Sequence, residues 1–577
     1  MSDTELKKPD HTFEYIHSCY TEDKRRDSNN DAVFIKRNRV TFAEDGSEIL
    51  TPEYVYQENV ERDYWITKKA FRKNEFKLEY EHLSRLDHHR CTQRNLARQI
   101  CYKIGKQYRP NTRLTEVFRS PYVYGCDIDI NTVVKLQYAK HHPRDVPASL
   151  TYAVQDIEFD MNTGMGMIIF SMSFKDKAYQ VVLKQWTNDG DTPEEYIEFI
   201  NNELPEIKER NIKLELEFVE NMVDGIRKMY EKANEWMPDM IGFWNLNYDM
   251  TVILDVLKEA GVDPADIFSH PSVPRHYRHF EYKRGQVIKR KDDGTSRPLA
   301  ASEQWHTVFC TAPFYFIDPM SVYRGLRKMK AEPSYSLDYI TDKRLGKGKY
   351  HFDHELLKNM PTGSGRWHMT MQKHFKKQYC AYGLIDCIRV EQLDEDQEDI
   401  CVKLPLLIGD SHFKDFSSNP KQLCDDFHSF CLEHGYVIST TSDQMKHEID
   451  AKVVGKELWI NIVEATHLED VGIDLVDDPV FRSSRLTIHN FDLDLISAYP
   501  KIGILLGLSR KNTVFEICKI EGIDSFKHRY VCVNLTGGNA NALITCKDLY
   551  KLDGLNELHV KFAEAHKIDV ATYNRAS

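Results

Sequence analysis

The sequence has no apolar run approaching the roughly 18 residues that a bilayer-spanning helix requires. Its opening stretch, MSDTELKKPDHTFEY, has no apolar segment behind its charges, which excludes a secretory signal at that point. The 13 cysteines are scattered from Cys19 to Cys546 with neither CxxC pairing nor zinc spacing. An odd, unpatterned set excludes a disulfide framework and fits reduced thiols. Internal repeats, low-complexity blocks and long Gly/Ser linkers are also missing. Nor is there an excess of positive charge: 89 acidic residues outnumber 77 basic ones for a net charge of −12, which argues against a histone-like polycation. These absences predict a soluble, cytoplasmic protein. What the chain does have is core-forming material, with 41% hydrophobic residues including 28 Phe, 30 Tyr and 7 Trp, so wholesale disorder is excluded.

At 577 residues the chain exceeds one hydrophobic core, and about three or four domains are expected. Residues 1–30 are polar and read as a loosely ordered start. The rest of 1–150 mixes short strands (DAVFIKR, YVYGCDIDI) with a helix near 92–106. In that helix Leu96, Ile100 and Ile104 form one stripe, and Arg90, Arg94 and Arg98 lie along another face. Residues 83–113 carry eight Lys or Arg and a single Asp. Such asymmetry can bind phosphates, although a solvated helix face is the plainer reading. From 151 the pattern sharpens. SLTYAVQDIEFD, MGMIIFSMSF and AYQVVLKQW read as three consecutive antiparallel strands. A helix follows on Val219, Met222, Val223, Ile226, Tyr230 and Ala233. Next come a short buried strand, MIGFW, and a helix from Asp249 that ends at Gly261. This succession predicts an α/β domain with a mixed sheet over 151–400. Residues 279–298 read as a basic hairpin turning at Asp293-Gly294, and Trp367 to Leu393 as a long helix. Residues 401–484 read as a connecting region with a helix near 421–434, followed by a last domain at 485–577.

Three constellations can carry chemistry. Asp156 and Glu158 alternate on a strand, so both carboxylates point to one face, as a hard divalent cation requires. Asn245-Leu246-Asn247-Tyr248-Asp249 sits where a strand gives way to a helix, the junction at which α/β sheets build sites, although Asp249 could serve only as a helix cap. Tyr382 and Asp386 stand one turn apart on one helix face. Each alone has an ordinary structural explanation: a surface strand, a cap, an exposed helix face.

In their order, D-x-E on a strand, N-x-x-[FY]-D at a strand–helix junction and Y-x-x-x-D on a helix resemble the DEDD exonucleases of the tyrosine subtype. That resemblance implies a ribonuclease H-like exonuclease fold. Asp156, Glu158, Asp249 and Asp386 would hold two divalent ions, Mg²⁺ or Mn²⁺, and Tyr382 would orient the attacking water. A fourth segment, Phe491 to Pro500 (FDLDLISAYP), resembles motif A of family B DNA polymerases. It implies a palm carboxylate at Asp494, a metal and nucleotide ligand, and a sugar-stacking tyrosine at Tyr499. Ala498 and Lys501 depart from the usual motif. Ser334 to Ile340 with Leu345 to Lys349, and Asp318 in FYFIDPMSVYR, extend the likeness to bacteriophage enzymes of that family. Asn245 and the hairpin bases Lys283, Arg284, Lys289 and Arg290 are the expected DNA contacts.

The resemblance has gaps. The Tyr-x-Gly-Gly/Ala linker is not recognised. Neither Lys-x-x-x-Asn-x-x-Tyr-Gly nor Tyr-x-Asp-Thr-Asp occurs among the 77 residues after Pro500. The expectation is therefore an N-terminal portion of a phage-type family B polymerase: N-terminal domain, proofreading exonuclease and partial palm. It comes from either a split enzyme or a truncated gene, the former being favoured. Its partners would be primer–template, single-stranded 3′ ends, a C-terminal polymerase polypeptide and other replisome proteins, in a bacterial host cytosol, with no membrane. The rival expectation is a non-catalytic replication scaffold or nucleic-acid-binding subunit whose exonuclease fold is silent.

Overall fold

The structure, a computed structural model, describes residues 12–439 apart from 74–77, 79, 111, 144–148, 291–294 and 329–330. It also describes two strands near the end of the sequence. Three antiparallel strands open the chain: β1 (Thr12–Glu22), β2 (Asp31–Phe42) and β3 (Glu48–Glu58). The reading of residues 1–30 as loosely ordered is thus corrected from Thr12 onward. Polar as it is, β1 buries Ile16 and Cys19, and Ser18 Oγ donates to Asn131 Oδ1 at 2.9 Å.

Next come β4 (Glu61–Thr67), β5 (Tyr80–His82), β6 (Leu86–Thr92), α1 (Leu96–Ile104), α2 (Leu114–Val117), β7 (Val123–Tyr124) and α3 (Ile130–His141), with β4 central in the sheet β6-β4-β7. Helix α1 buries Leu96 and Ile100 as expected, and Gly105 ends it at φ 74°. The predicted arginine row is broken. Arg90 lies on β6 beside Glu61 and Asp63, and Arg94 donates to the Asp23 and Asn30 carbonyls, so only Arg98 rides on the helix.

The central sheet has the order β11-β10-β9-β8-β12-β17. Strands β8 (Tyr152–Phe159), β9 (Met167–Phe174) and β10 (Lys177–Leu183) form the expected antiparallel meander. After α4 (Pro193–Glu203) and α5 (Pro205–Glu209), β11 (Lys213–Val219) joins β10 in parallel. Val219 ends this strand, so helix α6 (Met222–Trp236) starts later than its apolar spacing suggested. Strand β12 (Met240–Gly242) pairs in parallel with β8, α7 (Leu246–Glu259) and α8 (Pro264–Phe268) follow, and the sheet is closed further along the chain by β17 (Tyr315–Ile317). Every residue of β9 is buried, as a strand covered on both faces must be.

Between α8 and β17 the predicted hairpin is rearranged. Strand β13 (Phe280–Lys283) pairs with β16 (Thr307–Cys310), while only β14 (Ile288–Arg290) and β15 (Ser296–Pro298) form the small hairpin; Asp293-Gly294 lies outside the described residues. A Cβ at Gly285 would come within 2.6 Å of the Trp305 backbone, so this glycine lets the chain run close enough for β13 to reach β16.

Beyond β17 lie α9 (Pro319–Leu326), α10 (Leu337–Leu345), α11 (Gly365–His374) and α12 (Lys376–Gln397). The expected single helix from Trp367 is thus two, broken at Phe375. Alternation on the strands puts Gln155, Ile157, Phe170 and Val181 on one face of the sheet and Asp156, Glu158, Ser171 and Gln180 on the other. Gly225 of α6 packs on Val181. Gln180 bonds the Cys380 carbonyl of α12, which covers the opposite face. This mixed α/β region holds the largest apolar cluster of the described residues, in which each fully buried Ile, Leu or Phe contributes ~1.5–3 kcal/mol.

Of the region expected to connect domains, 401–484, the described part is 401–439, and it returns to the N-terminal strands. After α13 (Leu404–Ile408) and α14 (Asn419–Glu433), β18 (Tyr436–Ile438) pairs with β5 near the start of the chain. In a separate unit, β19 (Tyr530–Val533) pairs antiparallel with β20 (Ala542–Thr545). Among the described residues no helix is long and apolar enough to cross a membrane.

Candidate active site

Asp156 and Glu158 lie on β8, on the face that α12 covers. Gly383 of α12 makes the close approach feasible. A Cβ there would stand 3.3 Å from Glu158 Cγ and 3.4 Å from Ser171 Oγ, so a larger side chain would push the helix off the strand or displace the glutamate. Tyr382 and Asp386 flank that glycine on α12, and both are buried. Asp249 sits in the first turn of α7 and is also buried. It is not the helix cap: that position belongs to Asn245, whose side chain makes no capping bond. The helix start is pinned instead by Asp318, which accepts from the Leu246 N–H at 3.2 Å and the Ser321 N–H at 3.1 Å, and so fixes α7 and α9 together.

The four carboxylates sense one another. Burial pushes Asp156 up to about 8, with the Asp386 charge adding to the shift. Burial and then the Asp156 charge raise both Glu158 and Asp249 well above the usual carboxylate range. Burial also raises Asp386, and Lys349 offsets part of that. Among the described residues no three His, Cys, Asp or Glu side chains are drawn into a ready-made ligand shell. Among the described residues the positive charge at the site is the Lys349 ammonium, 2.5 Å from Tyr382 Oη and 3.5 Å from Asp386 Oδ2. Burial works against that ammonium, yet Asp386, Glu158 and Asp156 together hold its pKa above the ordinary lysine value. Asp386 Oδ1 remains buried with no hydrogen-bond partner. Four carboxylates against one ammonium, with an orphaned oxygen among them, are a donor set that fits hard divalent cations such as Mg²⁺ or Mn²⁺.

The surroundings suit a strand end. Tyr248, beside Asp249, is 54% exposed, and Phe159, Met161 and Met165 also reach solvent after Glu158. Of the expected DNA contacts, Arg284 Nη2 donates to Thr251 Oγ1 on α7 at 3.3 Å, and Lys283 is partly occupied by Glu281 at 3.3 Å. Lys289 and Arg290 are exposed on β14. Asp494 and Tyr499 lie outside the described residues.

Local spacing did not single out Lys349. Its signal was Gly346-Lys347-Gly348-Lys349. Gly346 ends α10 at φ 65°, and Gly348 passes so near Asp338 that a Cβ would meet its Oδ1 at 2.8 Å. The same Asp338 oxygen accepts the Lys349 N–H at 2.8 Å, which fixes the backbone from which the lysine reaches Asp386. Tyr379 and Gln372, which contact Glu158 and the chain after it, were also missed, because their partners lie more than 200 residues away in sequence. The chain matches no known protein family and no curated protein.

Proposed function

We propose that this chain is a two-metal 3′→5′ exonuclease of the DEDD tyrosine type on a ribonuclease H-like domain, the proofreading part of a phage-type family B DNA polymerase. One observation carries the reading: Asp156, Glu158, Asp249 and Asp386, from a strand and two helices, stand close enough for their charges to act on one another, the last three are buried, and among the described residues Lys349 is the cation that faces them. Buried charge left uncompensated is characteristic of a functional site rather than of a scaffold. The sheet order, with an antiparallel meander followed by parallel strands, agrees with the proposed fold.

Asp156, Glu158, Asp249 and Asp386 would hold two divalent ions, which supply an activated water and offset charge on the attacked phosphate. Tyr382, its ring wedged edge-on against Trp367 and its hydroxyl held by Lys349, orients that water. Lys349 offers a further positive charge to the phosphate. Tyr248 and Phe159 supply apolar surface on which bases stack, with little sequence preference. Arg284 and the bases of β14 track the backbone of the strand. DNA synthesis would require motif A at Asp494 and Tyr499 together with the fingers and second palm motifs of a C-terminal partner polypeptide.

The test is a 5′-labelled primer–template with a mismatched 3′ end, incubated with the purified chain, Mg²⁺ and all four dNTPs. Shortening that EDTA and Asp249→Ala both abolish is the expected result. Primer extension by this chain alone would overturn the assignment of synthesis to a partner, and an unchanged primer would favour the silent scaffold.

A further inference from the structure

We propose that Tyr379 is a positioning residue for Glu158, and that with Gln372 and His368 it joins this carboxylate to the loop that follows it. The proposal rests on reading the four carboxylates as cation ligands.

Tyr379 precedes Tyr382 by three residues and Asp386 by seven, so all three share one face of α12. The two rings stack, with centroids 5.6 Å apart and planes at 19°, but their hydroxyls have different partners. That of Tyr382 is held by Lys349. That of Tyr379, completely buried, donates to Glu158 Oε2 at 2.5 Å. Two further groups meet the same hydroxyl. Gln372 Nε2 donates to Tyr379 Oη at 3.0 Å, and His368 Nδ1 is 2.8 Å from the same oxygen. An ionised carboxylate has no proton to give, so with Glu158 ionised the phenol is the donor of this bond.

Gln372, itself buried, holds the other side. Its Nε2 also donates to the Phe159 carbonyl at 2.8 Å, and its Oε1 accepts from the Met161 N–H at 2.8 Å. A donor on one side and an acceptor on the other leave only one orientation of this amide. The Glu158 side chain and the backbone of Phe159 and Met161 are therefore gripped from the corner between α11 and α12. The grip extends to the exposed Phe159 and Met161, so a strand end bearing on that loop and the carboxylate would move together. Filling a buried hydrogen bond is the plainer explanation of Tyr379, and it predicts an effect on stability alone. A positioning role predicts an effect on the cation that depends on Glu158.

The experiment titrates the full-length chain with Mn²⁺, following binding by calorimetry and folding by melting temperature. Wild type, Asp249→Ala, Tyr379→Phe, Glu158→Gln and the Tyr379→Phe/Glu158→Gln double variant are compared. Loss of an outer hydrogen bond to a metal ligand typically weakens metal binding 10–100-fold. Tyr379→Phe is expected to weaken Mn²⁺ binding by about 10-fold, and to have no further effect once Glu158 is Gln. Wild-type affinity in Tyr379→Phe, or the same fold-loss with and without the Glu158 carboxylate, would overturn the proposal while the cation reading stands. If Tyr379→Phe does not fold, Gln372→Glu decides: weaker Mn²⁺ binding supports the grip and unchanged binding overturns it. Absence of Mn²⁺ binding by wild type, or binding that Asp249→Ala leaves intact, would overturn the cation reading and this proposal with it.

Discussion

The carboxylate end of the central sheet and the seam where β2 meets the start of β8 both bury ionisable side chains. At the seam, Lys36 is fully buried, donates to the Met237 carbonyl at 2.8 Å and lies 3.6 Å from Asp239 Oδ1. Asp239 Oδ2 in turn accepts from the Thr151 N–H and hydroxyl, each at 2.8 Å. Charge and hydrogen bonds balance there, and the group joins the N-terminal strands to the sheet. At the carboxylate end, the Lys349 ammonium faces Asp386 and feels Glu158 and Asp156, Asp249 adds a fourth acid, and Asp386 Oδ1 has no partner. Burial alone therefore does not distinguish a site from a seam; the local charge balance does.

The sharpest way to break this contrast is Asp249→Ala. Metal ligation is worth several kcal/mol in the transition state, so metal-dependent shortening is expected to fall by about 10³-fold or more. The melting temperature of the metal-free chain should hold or rise, because one of four mutually repelling carboxylates is gone. A variant that loses activity only by unfolding would put the site in the same class as the seam.

The opposite behaviour is expected of Lys36→Met, which leaves Asp239 buried without its cation. Such a change costs about 3–5 kcal/mol, read from denaturant unfolding, while the proposed metal-dependent primer shortening by the protein still folded is expected to stay near wild type. A loss below about 1 kcal/mol would remove the seam as a structural charge pair.

A smaller effect should appear in the pH dependence beside the seam. His17 is pushed down to about 3 by burial first, then by the charges of His412 and Lys36. Burial pushes His412 down to about 4; Lys414 and Lys135 reinforce this, and Asp129 and the Ser18 carbonyl oppose it. The unfolded imidazoles take up protons near 6.5, whereas the folded ones resist until far lower pH. Stability present at neutral pH should therefore be lost as pH falls from about 6.5 toward 4. His17→Phe should flatten that slope in melting temperature against pH, and an unchanged slope would assign the acid loss to other groups.

The smallest effect is expected on the N-terminal basic face, where charge is exposed rather than buried. Arg98, Lys103 and Lys106 are exposed and form no ion pair among the described residues. Lys103→Ala with Lys106→Ala should shift stability by no more than about 0.5 kcal/mol. If this face tracks a single strand, the slope of log affinity against log salt should fall by about 0.7 per cation removed. An unchanged slope would return it to an ordinary solvated face.

What could be read from the sequence was whatever local spacing encodes. The β8–β10 meander follows from apolar runs of strand length separated by short turns. The pairing of Asp156 with Glu158 follows from a period of two, that of Tyr382 with Asp386 from a helical turn, and Asp249 was found because a short apolar strand stops just before it. The misread elements had locally ambiguous patterns. β1 is polar in composition but paired along its length, and β13 chose β16 over β14 because Gly285 allows the close approach to Trp305.

The sequence by itself determined which residues could carry chemistry and on which element each would stand, because strand and helix periods are properties of consecutive residues. Only the tertiary structure decided that these carboxylates are brought together, that Lys349 is a counter-charge beside them, that Tyr379 and Gln372 grip Glu158 and its loop, and that β18 returns to β5. Those contacts join residues that are distant in the chain. Packing and the need to satisfy buried polar groups select them, and no local pattern records either.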